Sequence, residues 1–189
     1  METSQIARIF EETRALLTGH FLLTSGLHSE KYLQCARVLQ WPQYAEFCAK
    51  SIVDGFGGPK PALVVSPAIG GIIIGQEVAR ALGCRAIFAE REGGTLSLRR
   101  GFEISPAERT VVVEDVVTTG GSTRETIEVV RRYGGIVVGA ASIVDRSGGT
   151  VDLGVFYRSL WTLAIPVFKP EECPMCLAGS TPIKPGSRI

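Results

Sequence analysis

Residues 111–123 read VVVEDVVTTGGST. Three valines lead into two adjacent carboxylates, Glu114 and Asp115. Val116 and Val117 follow, then Thr118, Thr119, Gly120, Gly121, Ser122 and Thr123. The two halves suit different chemistry. Carboxylates repel phosphate but accept hydrogen bonds from sugar hydroxyls. Hydroxyls and glycines leading into a helix suit a phosphate, because a helix N-terminus offers unpaired N–H groups and the positive end of the dipole. Gly120 and Gly121 let the backbone approach such a group closely. The whole stretch asks for a sugar phosphate: ribose hydroxyls on the acids, a 5′-phosphate on the loop. It is neither a Walker loop, which needs a lysine absent here, nor GxGxxG. An ordinary strand–turn–helix would need neither the acids nor the doubled threonine.

The elements around this stretch must place it at a ligand-binding edge. From residue 62 strands and helices alternate. ALVVSP, RAIFAE, TVVVED and IVVGAASIVD have the length and apolarity of buried strands, and GIIIGQEVARALG and STRETIEVVRRYGG have helical spacing. Alternation of this kind predicts an α/β fold with a mainly parallel sheet covered on both faces. Ligands bind beyond the carboxyl ends of such strands, where Glu114 and Asp115 fall. Residues 91–101, REGGTLSLRRG, interrupt the rhythm as a polar, basic segment that reads as a mobile hairpin or lid. A helix is expected over 3–17 with Gly19 as its stop, short extended pieces over 21–24 and 31–35, and a helix from Pro42 to Val53. Residues 1–60 then form a small extra subdomain, residues 61–165 the main core, and 1–189 one domain. At least one more strand and a Pro-rich tail complete the chain.

Bulk properties narrow the class. The net charge is +1 and 45% of the 189 residues are hydrophobic, which suits a globular domain and speaks against nucleic-acid binding. No apolar run reaches the roughly 18 residues of a transmembrane helix. METSQIARIFEETR lacks the basic and apolar regions of a signal peptide, so a cytoplasmic protein is expected. Five cysteines, an odd number, argue against a disulfide framework. Cys173 and Cys176 have metal-ligand or redox spacing. With no second pair and no histidine nearby in the sequence, they are expected to be free thiols in a C-terminal turn, with a site shared between chains as the alternative. His28 is expected to be a solvated loop histidine.

VVVEDVVTTGGS resembles the phosphoribosyl-pyrophosphate (PRPP) motif of type I phosphoribosyltransferases. The resemblance implies that Glu114 and Asp115 hold the ribose hydroxyls and act in catalysis, and that Val116 to Ser122 complete PRPP binding. Other segments are similar to the orotate-using branch of that family. In FLLTSGLHSEKYLQ the pattern falls on Ser25, Gly26, Ser29 and Tyr32, a substrate segment. SPAIGGIIIG is similar to the pyrophosphate loop, with backbone N–H groups from Ala68, Ile69, Gly70 and Gly71 facing the leaving group. Family members often carry a non-proline cis peptide there. SIVDRSGG is similar to the strand end that supplies an arginine, here Arg146, to the orotate carboxylate, a task its bidentate fork suits. Thr118 joins Ser25, Tyr32 and Arg146 as an orotate contact. The tail CPMCLAGSTPIKPGSR is similar to a short bacterial-type subgroup.

The resemblance implies transfer of ribose 5-phosphate from PRPP to orotate, giving orotidine 5′-monophosphate and pyrophosphate for pyrimidine biosynthesis. It implies magnesium carried by the substrate with no direct protein ligand, and a homodimer whose lid reaches the partner's site. Departures are informative. The lid lysines and histidine of better-known members are absent, and Arg91, Arg99 and Arg100 are the basic residues there. A lysine before the Ser-Gly is replaced by Thr24, and one in the pyrophosphate loop by glycine near Gly70. These losses keep two alternatives open: a PRPP-dependent enzyme for another base, and a non-catalytic PRPP-sensing protein.

Overall fold

The computed structural model describes residues 2–23 and 25–185; Met1, Thr24 and residues 186–189 lie outside it. A six-stranded sheet organises the chain. Its strands are β3 (Leu63–Pro67), β4 (Arg85–Glu92), β5 (Thr95–Leu98), β6 (Arg109–Val117), β7 (Ile136–Asp145) and β8 (Tyr157–Thr162), in the order β5-β4-β3-β6-β7-β8. Every pairing is parallel except β4 with β5. Two helices make the crossovers beside the centre: α4 (Gly71–Leu82) from β3 to β4 and α5 (Gly121–Arg132) from β6 to β7.

The valine runs explain why the sheet is covered twice. Side chains alternate across a strand. Val64, Val111 and Val113 therefore join one apolar cluster, while Val65 and Val112 join another on the opposite face. The first cluster receives Ile74 and Val78 from α4. It also receives Ile6 and Phe10 from α1 (Glu2–Glu12) and Ile52 from α3 (Pro42–Asp54). The second receives Ile127 and Val130 from α5, with Ile104 and Leu153 from connecting loops. The N-terminal region thus shares its core with the main sheet.

The N-terminus departs from the helix expected over 3–17. α1 ends at Glu12 and the chain reverses at Arg14, which takes a left-handed φ of 52°. Leu16 and Leu17, which fit a helical stripe, instead open β1 (Leu16–Leu22). The backbone closes the reversal, with Ala15 N–H donating to the Phe10 carbonyl at 2.8 Å. β1 pairs antiparallel with β2 (His28–Leu33), longer and shifted relative to the two extended pieces expected. The short helix α2 (Ala36–Leu39) then leads to α3.

The C-terminal strap, residues 163–183, runs back onto this hairpin. It contains a 3₁₀ turn at Pro170–Glu172 and the short helix α6 (Pro174–Leu177). His28 and Phe168 exchange backbone hydrogen bonds of 2.8 and 2.9 Å, and Leu22 N–H donates to the Ile183 carbonyl at 2.8 Å.

Residues 91–101 form the expected hairpin, and it is compact. Gly93 and Gly94 both take positive φ in its turn, and Leu96 is buried against Ala89 and Val129. Glu125 of α5 accepts from Leu96 N–H at 2.6 Å. Leu96→Ala should cost about 3 kcal/mol of unfolding free energy, the usual scale for a buried leucine. Equilibrium denaturation checks this; a loss below about 1 kcal/mol would mean that the hairpin is not packed as described.

Candidate active site

β3 feeds a helix toward one side of the sheet and β6 feeds one toward the other. Their carboxyl ends therefore bound the crevice where an open α/β sheet takes its ligands. The β3 end continues as Ala68, Ile69 and Gly70 into α4. The Ala68–Ile69 peptide is cis. The β6 end carries Glu114 and Asp115.

The two ends approach each other closely at the start of α4. A Cβ on Gly70 would lie 2.7 Å from Asp115 Oδ1, and one on Gly71 would lie 3.2 Å from Glu114 Oε1. A side chain at position 70 would therefore displace the Asp115 carboxylate from the position it holds here. Glu114 is buried, and Asp115 is half-buried with its N–H donating to Glu114 Oε1 at 3.1 Å. Burial, reinforced by the neighbouring Asp115, pushes the Glu114 carboxyl well above the ordinary carboxylate range, and burial also raises Asp115. Behind them Cys35 is buried, and its thiol is held protonated chiefly by desolvation and then by Asp115.

Beyond the acids, residues 118–122 wrap toward the N-terminus of α5. Thr118, Thr119, Gly121 and Ser122 are exposed. Gly120 has φ 78°, and a Cβ there would meet Val151 Cγ2 at 2.7 Å, so both conformation and space demand glycine. No side chain caps this helix, which leaves its first N–H groups facing the loop. Arg124 braces the turn from beneath, donating to the Thr119 carbonyl at 2.8 Å and to the Asp152 carbonyl at 2.9 Å.

Val116, Thr118 and Thr119 also border a cavity of about 540 Å³. Ser25, Tyr32, Thr118 and Arg146 all line it, with Leu23 and Val167 among the apolar walls. The structure thus brings together four residues drawn from three distant segments. Arg146 is half-buried, and burial lowers its pKa while Tyr32 opposes the shift. The Tyr32 hydroxyl is raised by burial and by Asp115, with Arg146 acting in the opposite sense. Asp145 sets the Arg146 turn: its carboxylate accepts from Ser147 N–H at 2.7 Å and Gly149 N–H at 3.2 Å.

The three hairpin arginines are already matched with acids. Arg91 pairs with Glu125 at 2.6 Å and Arg100 with Glu90 at 2.7 Å, while Arg99 lies 3.5 Å from Glu92. Arg100 also sits over the Phe88 ring, 5.6 Å from its centre.

Sequence reasoning missed Arg124 and Asp145, whose roles are to brace loops through long-range contacts. It also misjudged the surroundings of two other groups. His28 is buried rather than solvated, and Cys173 and Cys176, which are free thiols as expected, have histidines close by in space. His20 and His28, the only histidines, lie beside them because the strap folds onto the β1–β2 hairpin. The usable signal was numerical: two histidines eight residues apart beside one CxxC make a four-ligand set.

Comparison with known proteins follows the same lines. Residues 36–160 match the family model of the phosphoribosyl transferase domain. The chain is 54% identical to the orotate phosphoribosyltransferase of Pelotomaculum thermopropionicum over 188 residues, covering 100% of this chain and 99% of that protein. It is 52% identical to the orotate phosphoribosyltransferase of Caldanaerobacter subterraneus, again covering 100% of this chain and 99% of the relative. The crystal structure of orotate phosphoribosyltransferase from Aeropyrum pernix superposes with a TM-score of 0.70 at 29% identity, covering 84% of this chain and 93% of that one. Among the described residues, no helix is long and apolar enough to cross a membrane.

The raised carboxyls make a pH prediction. Below about pH 4 the pair is protonated folded or unfolded, so it contributes no penalty. As pH rises past that range the unfolded chain releases protons that the folded pair retains, and the folded state loses stability. Glu114→Gln should therefore melt with the native protein at low pH and increasingly above it as pH rises toward 8. Equal thermal midpoints at pH 8 would contradict the buried-pair description.

Proposed function

This chain belongs to the phosphoribosyltransferase family, among the orotate phosphoribosyltransferases, and from that membership we propose how its residues divide the work. The enzyme transfers ribose 5-phosphate from PRPP to orotate, releasing pyrophosphate, in pyrimidine biosynthesis. The observation that carries the assignment of roles is that Thr118 and Thr119, between the two acids and the uncapped start of α5, line one cavity together with Ser25, Tyr32 and Arg146.

The 5′-phosphate takes the backbone N–H groups and hydroxyls of residues 118–122, with Val116 and Val117 supplying the strand end beneath. The ribose hydroxyls take Glu114 and Asp115. These acids meet the positive charge that grows on the ribose as the bond from its anomeric carbon to pyrophosphate breaks and a bond to the orotate ring nitrogen forms. Burial disfavours their charge in the free protein, whereas positive charge developing beside them favours it, so the stabilisation is greatest where the barrier lies. Arg146 pairs with the orotate carboxylate, and Ser25, Tyr32 and Thr118 fix the ring edge. Ala68 to Gly71 offer backbone N–H groups to the pyrophosphate.

The pyrophosphate loop carries no cationic side chain, and the hairpin arginines are shared with glutamates. This donor set fits a hard cation held by substrate oxygens, with Glu114 and Asp115 as the acidic groups nearby. Magnesium, when bound with PRPP, would supply positive charge to offset that of the pyrophosphate. We assign the enzyme to the cytoplasm and to a homodimer. Exposed Ile69 (86%) and Ile73 (46%) offer apolar surface for a partner, and in this reading Arg99 and Arg100 act in the partner's site.

An ultraviolet assay with orotate, PRPP and magnesium tests the assignment. Orotate absorbance should fall only when all three are present. Asp115→Asn should reduce turnover about a hundredfold or more without lowering the melting temperature. Arg146→Ala should act mainly through orotate, raising its KM by about tenfold or more while the KM for PRPP changes little. Near-normal turnover in the first variant, or equal KM effects in the second, would refute the division of roles. Mixed dimers address the shared lid. Hybrids of Asp115→Asn chains with Arg99→Ala/Arg100→Ala chains should recover about a quarter to a half of native activity, because one of the two sites is then intact. Recovery no greater than the sum of the parent variants would place hairpin and acids in the same chain.

A further inference from the structure

The only two histidines of the chain and the two cysteines of ECPMC meet in one small volume, away from the crevice that binds substrates. His20 is 7% exposed, His28 5% and Cys173 0%. One donor atom from each of His20, His28, Cys173 and Cys176 lies within 4.8 Å of all the others. His20 Nε2 is 3.0 Å from His28 Nδ1, 3.5 Å from Cys173 Sγ and 3.7 Å from Cys176 Sγ. Cys176 Sγ is 3.3 Å from His28 Nδ1.

These distances have a common explanation. A tetrahedral zinc ion with bonds of about 2.3 Å to sulfur and about 2.0–2.1 Å to nitrogen holds its nitrogen and sulfur ligands about 3.5 Å apart. The same geometry holds two nitrogens about 3.3 Å apart. The three nitrogen–sulfur distances and the single nitrogen–nitrogen distance fall close to those edges. Hydrogen bonding sets the tautomer required of His20. Its Nδ1 lies 3.1 Å from Ser180 Oγ, so an Nδ1 proton donated there leaves the Nε2 lone pair facing the cluster. The backbone supports the same geometry: Ser180 is held by a bond from its N–H to the Met175 carbonyl at 2.9 Å, within the turn that carries both cysteines.

We propose that His20, His28, Cys173 and Cys176 bind one zinc ion per chain. The donor set is two thiolates and two imidazoles, which selects zinc over the hard cations that prefer oxygen. Four protein ligands close the coordination sphere, so the ion is structural and holds no water for chemistry. What it joins is specific. Two ligands come from the β1–β2 hairpin and two from the C-terminal strap. Both elements also line the 540 Å³ cavity, the hairpin through Ser25 and Tyr32 and the strap through Ile165 and Val167. The ion therefore fixes the outer wall of the base pocket. That last consequence rests on the functional reading above; the metal site does not.

Elemental analysis of the purified full chain, expressed with zinc in the medium and dialysed without chelator, tests the proposal. About one zinc per chain is expected, falling about tenfold in Cys176→Ser and in His28→Gln. Cobalt added to metal-stripped protein should give the visible absorption of a tetrahedral site with thiolate ligands, and the Cys176→Ser variant should lose part of it. Native protein that is folded yet holds no stoichiometric zinc, and gives no such absorption with cobalt, would overturn the proposal. A Cys173–Cys176 disulfide in protein purified without reductant, or stoichiometric iron in place of zinc, would overturn it as well. Zinc removal should also raise the KM for orotate several-fold more than that for PRPP. If zinc is bound at one per chain and orotate turnover is absent, the functional reading fails while the metal site stands.

Discussion

Burying Glu114 beside Asp115 sets two like charges against each other where little water can screen them. Much of the crevice can be understood as the arrangement that tolerates this. The start of α4 comes close where positions 70 and 71 lack side chains, leaving both carboxylates in place. The residue packed behind the pair, Cys35, is a neutral thiol rather than another acid. Such a pair lowers the stability of the free protein, a familiar tension between stability and activity. The tension is useful. Any ligand that brings hydrogen-bond donors or positive charge to the acids relieves it, and a reacting ribose brings both.

Cationic side chains are handled in the opposite way. Arg91, Arg99 and Arg100 sit in a hairpin rich in base, yet each faces a glutamate of β4 or α5. Because the contributions of exposed pairs are small, these contacts can exchange partners at little cost. Arg146 differs. It is half-buried in the cavity wall, and no ion pair to it occurs among the described residues. The fold thus separates a half-buried cation in the cavity wall from exposed, exchangeable cations on the hairpin.

Local periodicity made much of this legible in the sequence. The valines of β3 and β6 announce a sheet buried on both faces, and the acids and glycines of residues 114–121 announce the ligand edge. What stayed hidden depends on contacts between distant segments. Leu16 and Leu17 suit either a helix or a strand, and only the reversal at Arg14 decides between them. The partners of the hairpin arginines include Glu125, more than thirty residues away in the chain, and no local pattern marks that pairing. His20 and Cys173 are separated by 153 positions, so the four donors look unrelated until the strap is in place.

That separation bears on how the molecule is made. The hairpin of β1 and β2 leaves the ribosome early, but two-stranded hairpins are marginal alone. Its partners, Phe168 and Ile183, belong to the final stretch of chain described. Closing a loop of such length costs entropy that only the completed contact returns. During synthesis the central strands and helices can therefore order first, and the cavity wall made by hairpin and strap closes last.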